Sequence, residues 1–170
     1  NEKDTIEQTR FGVIDLNRIN MAPFNNLIPA TNVPSLPFIF RSVAHMRTVM
    51  DGPIGDSILK EFEKHDLIGL AFYDSGSRSF YNGERPINTP ADMKGMKIRV
   101  LPSEIQRRTF ELLGAQAMRM DLTEAIKMVV AGTLDAQENP LANTVDYGVH
   151  KFHKYHTLTS HFYISRPIFL

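Results

Sequence analysis

Apolar positions in the first half of the chain predict two helices followed by a strand. They recur at helical spacing from Val43 to Met50, after a start at Ser42 or Arg41, and again from about 54 to 65. The continuous apolar run Leu67–Tyr73 has the length of a strand and predicts burial on both of its faces.

The segment before these helices predicts a strand and then an extended connection. Val13–Met21 is apolar with inserted polar residues, and Asn20 lies near the carboxyl end of this predicted strand. Pro29, Pro34 and Pro37 follow, and proline removes a backbone donor and restricts the residue before it. We therefore expect an extended backbone up to residues 38–40.

In the second half of the chain, strand-like and helix-like patterns of apolar residues alternate regularly. Strands are predicted at 96–101, 116–120, 134–137, 155–159 and 162–170, and helices at 103–113, 121–131 and 140–149. Asn82-Gly83 is a turn signal that predicts a hairpin between 79–81 and 85–87. The alternation of strands and helices predicts an α/β fold with parallel strand pairing.

Composition and charge exclude several classes of protein. The 170 residues include 19 Lys and Arg against 19 Asp and Glu, spread along the chain, so no long-range field is available to hold a nucleic acid. The absence of cysteine excludes a thiol nucleophile, a Cys zinc site and disulfides. No apolar run approaches the roughly 18 residues that a membrane helix needs.

The two ends of the sequence lead us to expect a longer protein. The chain opens on the polar run Asn1–Arg10 and stops on the apolar run Ile164–Leu170. An apolar, strand-like ending without a turn or a tail is typical of a segment that continues, so we expect the protein to continue beyond this segment.

Arg99 and Arg78 each allow two interpretations. Arg99 lies between apolar residues of a predicted strand, and Arg78 lies in a loop rich in Gly and Ser. Each is either a solvated surface residue or a guanidinium presented to a carboxylate, with which its planar fork can form two hydrogen bonds.

The segment Gln137–Pro140 falls at a predicted strand-to-helix junction. In one interpretation Asn139 caps the helix and Pro140 occupies its first position. In the other, Asn139 and Glu138 offer an amide and a carboxylate to a ligand, because ligands of open α/β sheets gather at the carboxyl ends of strands.

No catalytic or metal-binding motif is visible in the sequence. His150, His153, His156 and His161 lack the spacing that would place them on one face as metal ligands, so we predict no metal site and no cofactor. The sequence has no nucleophile elbow, no phosphate loop and no paired carboxylates typical of acid–base chemistry. We therefore predict a protein that is not an enzyme.

A series of short motifs, in order along the chain, resembles one family. The motifs are Leu36–Arg41, Asp51–Gly55, Gly76–Arg78, Arg85–Ile87, Asp92–Val100, Leu113–Ala115 and Asp135–Pro140. Together they resemble the solute-binding subunit of a tripartite ATP-independent periplasmic (TRAP) transporter, of the DctP type. Ala136 departs from the family's pattern, where a glycine is usual.

The resemblance implies a set of ligand-binding residues. Arg99 matches the arginine that pairs with the ligand carboxylate, and Arg78 matches a second arginine of the family. Asn139 matches the asparagine that also meets the carboxylate, with Glu138 beside it. The list is completed by Asn20, after the Gly-x-Ile-Asp motif, and by Leu122, where the family often has an aromatic residue that flanks the ligand.

The resemblance also implies a fold, a location and a partner. It is a two-lobed type II periplasmic-binding fold of the α/β class, of which we expect this chain to be the central portion, with residues 1–74 in the first lobe, 75–164 in the second and 165–170 returning to the first. We expect a monomeric periplasmic receptor, exported with a signal peptide outside this chain, that closes on a small organic acid and delivers it to a membrane permease.

The sequence leaves the chemical class of the ligand open. The segment Tyr73–Arg78 is more like that of receptors for uronates or other sugar acids, and the alternatives are C4-dicarboxylates and hydroxy or oxo acids. Two other functions remain: the ligand sensor of a signalling system, and an enzyme that acts on carboxylates.

Overall fold

The computed structural model describes the whole chain, Asn1–Leu170, as six α-helices and eight strands. The helices are α1 Glu2–Arg10, α2 Val43–Met50, α3 Pro53–Glu61, α4 Glu104–Leu112, α5 Leu122–Val130 and α6 Leu141–Asp146. The strands are β1 Asn17–Arg18, β2 Gly69–Tyr73, β3 Arg78–Asn82, β4 Lys97–Val100, β5 Gln116–Arg119, β6 Ala136–Asn139, β7 Tyr155–Phe162 and β8 Arg166–Phe169. Short 3₁₀ helices occur at Ala22–Phe24, Pro29–Ser35, Phe62–His65, Pro90–Met93 and Val149–Lys151.

The chain divides into two compact units, each with its own sheet. The first unit comprises residues 1–76 and 162–170, and the second comprises residues 77–161. Helices pack on strands in both, which gives the α/β class predicted from the alternation of patterns.

The first unit is built on a three-stranded sheet in the order β1-β8-β2. Both outer strands run antiparallel to β8, so β1 and β2 point in the same direction. Three buried rings form its aromatic core, with centroids 4.9 Å apart for Phe24 and Phe62 and 5.2 Å apart for Phe24 and Phe169. Such ring pairs add to the stabilisation from burial alone.

The second unit is built on a five-stranded mixed sheet in the order β5-β4-β6-β3-β7. Strand β4 pairs in parallel with β5 and β6, whereas β3 is antiparallel to β6. Ile98 and Val100 of the central strand β4 are fully buried. Helix α5 buries Ala125 and Val129 in the core of this unit.

Helix starts follow the sequence signals. The Ser42 side chain accepts a hydrogen bond from the His45 N–H at 3.1 Å, which confirms Ser42 as the cap of α2. Asp121 caps α5 in the same way, with its carboxylate 3.0 Å from the Glu124 nitrogen.

The predicted hairpin at Asn82-Gly83 is wrong. Asn82 accepts hydrogen bonds from the Glu84 and Arg85 nitrogens, at 2.8 and 2.9 Å, so the signal does mark a turn. The chain leaves the sheet after this turn, however, and β3 pairs with β6 instead of with 85–87. The prediction of parallel pairing is correct only for β4 with β5 and β6.

The apolar run Leu67–Tyr73 is not buried on both faces. Ile68, just before β2, and Leu70 within it are each 50% exposed, so one face of this segment is only partly covered. A run of apolar residues shows that a strand can be buried, but neighbouring elements decide which faces are covered.

Two further predictions for the first unit are wrong. Residues 29–35 form a 3₁₀ helix instead of an extended connection, where the Asn25 amide donates to the Thr31 carbonyl and to the Ser35 hydroxyl, both at 3.1 Å. The strand predicted over Val13–Met21 is reduced to the two residues of β1.

Candidate functional site

One edge of the five-stranded sheet gathers most of the polar side chains predicted from the sequence. Strands β4, β5 and β6 are parallel and end at this edge, and the antiparallel strand β3 begins there, since Ser79 lies opposite Asn139. Arg78, Arg99 and Asn139 therefore all lie at or near this carboxyl edge, the position where open α/β sheets bind ligands.

Arg78 is buried at the start of β3 and forms an ion pair. Its side chain is 1% exposed, and its Nε lies 2.5 Å from Glu138 Oε2. Its Nη2 donates to Glu138 Oε1 at 2.7 Å, to the Glu138 carbonyl at 2.8 Å and to Asn139 Oδ1 at 3.0 Å. The interpretation of Arg78 as a solvated surface residue is wrong.

The charge of Glu138 is maintained by its neighbours. Burial by itself raises the pKa of this carboxyl group, but the charge of Arg78 and hydrogen bonds from His161 and Arg78 outweigh burial and hold the pKa below its usual range. His161 Nε2 lies 3.6 Å from Glu138 Oε2. Both carboxylate oxygens bond to Arg78, so Glu138 fixes the position of the guanidinium.

Asn139 and Tyr81 continue this network along the sheet. The Asn139 amide donates to the Tyr81 hydroxyl at 3.3 Å, and that hydroxyl donates to Gln137 Oε1 at 3.2 Å. Burial raises the pKa of Tyr81, which keeps the phenol protonated. Pro140 is the residue before α6 and no side chain caps this helix, so the alternative of Asn139 as a helix cap is wrong.

Arg99 lies on an inner strand of the sheet. Strand β4 is flanked by β5 and β6, and Arg99 is 4% exposed, which excludes the solvated edge strand that was the alternative interpretation. Its Nε donates to the Met120 carbonyl at 3.1 Å. This bond orients the Arg99 guanidinium near the carboxyl edge. Its acceptor, Met120, lies two residues before Leu122.

Leu122 is the first residue of α5 and is half-buried. It follows the end of β5, so the chain places it at the same edge as Arg99. Its side chain is apolar and not aromatic, so it can cover one side of a ligand but cannot stack on it as an aromatic ring does.

Asn20 belongs to the first unit, two residues after β1. It is 6% exposed, and its amide donates to Glu2 Oε1 at 2.7 Å. The Asn20 backbone N–H bonds to the same oxygen at 3.2 Å. The first of these bonds holds the Asn20 side chain, and the second holds the Glu2 carboxylate against the Asn20 backbone.

Sequence reasoning missed Glu2, Tyr81 and His161 as parts of these networks. Tyr81 could have been found from the alternation of β3, where it lies on the same face as Ser79. No local signal marks Glu2 or His161, because their partners Asn20 and Glu138 lie 18 and 23 positions away in the sequence.

The histidines are separated by the fold. His153 is buried and its Nε2 lies 3.2 Å from the Leu134 carbonyl, whereas His156 stacks on Tyr81 with ring centroids 5.1 Å apart. No group of three or more His, Asp and Glu side chains is arranged to hold a metal ion. None of the helices has both the length and the apolar composition that a membrane crossing requires.

Comparison with known proteins identifies the family. Residues 1–169 match the model of the DctP family, bacterial extracellular solute-binding protein family 7, and the chain belongs to this family. The family consists of receptors that bind solutes outside the cytoplasm, and the two-lobed α/β fold is that of its TRAP members.

Three similar proteins have either a bound ligand in their structure or a name that states their ligand. A TRAP periplasmic solute-binding protein from Xanthobacter autotrophicus Py2 with bound β-D-galacturonate is 44% identical, with a TM-score of 0.95 over 99% of this chain. One from Bradyrhizobium sp. BTAi1, in complex with α/β-D-galacturonate, is 41% identical with a TM-score of 0.95 over 99% of this chain. The 2,3-diketo-L-gulonate-binding periplasmic protein YiaO of Escherichia coli K12 is 33% identical over 96% of this chain.

The chain spans about half the length of these relatives. It covers 56% of each of the two galacturonate-bound chains and 50% of YiaO.

Proposed function

We propose that this chain forms part of a periplasmic TRAP solute receptor that binds a uronate or a related sugar acid through its carboxylate. The observation that carries the proposal is the carboxyl edge of the second unit, where the buried Arg78 bonds to Asn139 and the buried Arg99 lies near the end of β4. The similarity to two galacturonate-bound receptors, at 41% and 44% identity, supports a sugar acid as the ligand class.

In this proposal Arg99 is the main partner of the ligand carboxylate. A guanidinium can form two parallel hydrogen bonds with a carboxylate, and the pair is strong where water is excluded. The bond from Arg99 Nε to the Met120 carbonyl supports this role, because it fixes the guanidinium before the ligand arrives.

The other residues of this edge have separate roles, which we assign to Arg78, Asn139 and Glu138. Arg78 and Asn139 lie at the same edge and bond to each other at 3.0 Å, so they can act on one ligand carboxylate together. Glu138 is a positioning residue for Arg78, because both of its oxygens are already bonded there. Leu122 supplies an apolar wall, and Asn20 contributes from the first unit.

The biological setting belongs to the same proposal. The receptor is exported, acts as a monomer without a cofactor, closes two lobes around the acid and passes it to the TRAP permease. We assign residues 1–74 and 165–170 to one lobe and 75–164 to the other. The side chains at the carboxyl edge bind and orient, and none is an activated nucleophile, so we propose a receptor and not an enzyme.

A ligand screen tests the proposed function. Thermal shift of the purified chain against uronates, aldonates, C4-dicarboxylates and hydroxy or oxo acids is expected to select a uronate or a related sugar acid, because a ligand that binds only the folded state raises its melting temperature. A clear preference for a C4-dicarboxylate would overturn the sugar-acid assignment.

Calorimetric titration of Arg99→Ala then tests the carboxylate contact. We expect the selected acid to lose detectable binding while the fold is retained. Arg108→Ala, an exposed arginine on α4, is the matched control and keeps the parent affinity. An Arg99→Ala affinity within about tenfold of the parent, or about 1.4 kcal/mol, contradicts the role of Arg99.

A further inference from the structure

Two histidine rings contact the buried ring of Tyr81 in the second unit. The centroid of the His153 ring lies 5.6 Å from that of Tyr81, and the His156 ring is stacked on Tyr81 at 5.1 Å with an interplanar angle of 12°. The Tyr81 hydroxyl bonds to Gln137 and to Asn139. The two histidines therefore hold the ring of a residue that anchors Asn139.

Hydrogen bonding fixes which nitrogen of His153 carries the proton. His153 Nε2 lies 3.2 Å from the Leu134 carbonyl, which can only accept, so Nε2 is the donor of the neutral ring. Nδ1 is then the unprotonated nitrogen, and it is buried without a hydrogen-bond partner. A second proton would place an N–H where the chain offers no acceptor, and a charge on a residue that is 3% exposed. The surroundings of His153 thus favour the neutral ring.

The groups around His153 act on its protonation in opposite directions. Burial lowers the pKa of His153 most, the Leu134 carbonyl raises it, His156 lowers it and Asp135 raises it, and the pKa lies below its usual value. The exposed Glu84 is a second carboxylate on this side, and it lines a cavity of about 250 Å³ together with His153 and Asp135. Burial also lowers the pKa of His156.

We propose that His153 positions Tyr81, and through it Asn139, only while its ring is neutral, so that the receptor binds its acid more weakly in mildly acidic solution. This inference rests on the proposed function and adds a pH dependence to the same site. His156, whose ring is stacked on Tyr81, is a second positioning residue.

The direction of the pH effect follows from the packing of His153. The ring takes up a proton more readily once it has left Leu134 and Tyr81 and contacts water. The packed arrangement is therefore fully favoured above the ordinary histidine pKa of about 6.5 and becomes less favoured as the pH falls below it. Tyr81 then loses one neighbour of its ring, and Asn139 loses the fixed position of one of its two anchors.

The test measures galacturonate affinity by calorimetry from about pH 7.5 to about pH 5.5, a range in which the ligand stays ionised because carboxyl groups titrate below about pH 5. The proteins are the parent, His153→Gln and the control His65→Gln, which removes an imidazole from the first unit. Glutamine keeps an N–H for the Leu134 carbonyl but cannot be protonated. His161, beside Glu138, is present in all three proteins, so the comparison isolates His153.

We expect the parent affinity to fall about threefold to tenfold over this range, since the lower limit lies about one pH unit below the ordinary histidine pKa. The affinity of His153→Gln should change by less than about twofold, and His65→Gln should follow the parent. A parent affinity that does not change with pH would overturn the inference and leave the proposed function intact. If no acid binds the parent, the proposed function is overturned and the inference with it.

The pH profile also separates positioning from a purely structural role. If His153 only stabilises the fold, His153→Gln lowers the affinity by the same factor at every pH and keeps the pH dependence of the parent, which would overturn the inference. Tyr81→Phe replaces this variant if His153→Gln does not fold. Without the hydroxyl that joins the ring to Asn139, its affinity should be nearly independent of pH, and a parent-like dependence would contradict the inference.

Discussion

Arg78 and Arg166 are both arginines at the first position of a strand, but their surroundings differ. Arg78 makes four hydrogen bonds to Glu138 and Asn139, and its side chain is 1% exposed. Arg166 is half-buried, and its Nε has no partner. The chain itself balances the charge of Arg78, whereas no carboxylate of the chain pairs with the partly exposed Arg166.

This difference separates two ways of preparing a binding site. Around Arg78 the network is built in advance, so its loss should damage the fold as well as binding. Around Arg166 the chain supplies no carboxylate, so a substitution there should cost the fold less than one at Arg78. The predictions below test this contrast, beginning with the largest expected effect.

Removing the partner of Arg78 is expected to cost the most stability. Glu138→Ala leaves a buried guanidinium without its carboxylate, and we expect the free energy of unfolding to fall by roughly 3 to 5 kcal/mol. Urea denaturation of the parent and the variant measures the change. Glu104→Ala, which removes an exposed carboxylate bonded to Arg107, is the control and is expected to change it by less than about 1 kcal/mol. Equal losses in the two variants would contradict the special role of the buried pair.

The stabilisation by Glu138 should disappear in acid. The pKa of Glu138 is lowered in the folded state, so its contribution is complete above the unfolded pKa of about 4.3 and is lost as the pH falls through the lower folded pKa. The difference in unfolding free energy between the parent and Glu138→Gln is therefore expected to be constant near pH 7 and to shrink below about pH 4. Denaturation at a series of pH values measures it, and a difference that stays constant down to about pH 2 would refute the assignment.

Tyr81→Phe should have an intermediate effect. It removes the hydroxyl that joins Asn139 to Gln137 but keeps the buried ring, and we expect the free energy of unfolding to fall by about 1 to 2 kcal/mol. Tyr155→Phe on β7, with an exposed ring, serves as the control. Ligand affinity should also fall in Tyr81→Phe, since Asn139 loses one of its two anchors, and a parent-like affinity would show that Arg78 alone positions Asn139.

Glu2→Gln should have the smallest effect on stability. Glutamine keeps an acceptor for the Asn20 amide but loses the charge, so we expect a change of about 0.5 to 1 kcal/mol in the free energy of unfolding. Galacturonate affinity should fall further than this change alone explains if Glu2 orients Asn20 for the ligand. Glu7→Gln, on the exposed face of α1, is the matched control. An affinity equal to that of the control would show that Glu2 does not position Asn20 for the ligand.

Local sequence signals predicted elements better than they predicted pairing. Ser42, one of the two predicted starts of α2, caps that helix, and a cap can be predicted locally because it depends on residues three positions apart. The hairpin at Asn82-Gly83 failed because strand pairing depends on distant segments: β3 pairs with β6, more than 50 positions later. The failure over Leu67–Tyr73 has the same origin, since an apolar run does not say which face another element covers.

In the candidate site too, local features could be predicted from the sequence and distant contacts could not. The positions of Arg99 and Asn139 near strand ends could be predicted, because the strand patterns around them are clear. The burial of Arg78 could not, because its partner Glu138 lies 60 positions away and no local pattern joins the two. The roles of these residues in binding remain predictions.

The sequence by itself determined the alternation of helices and strands, the caps and the ordered motifs of the family, since each depends on neighbours within a few positions. Only the tertiary structure decided which charges are balanced. It placed Glu138 against Arg78 and left Arg166 without a carboxylate, although both arginines follow a serine and begin a strand. The physical reason is that a buried charge is stabilised by groups within a few ångströms in space, and the folded chain, not the order of residues, determines those distances.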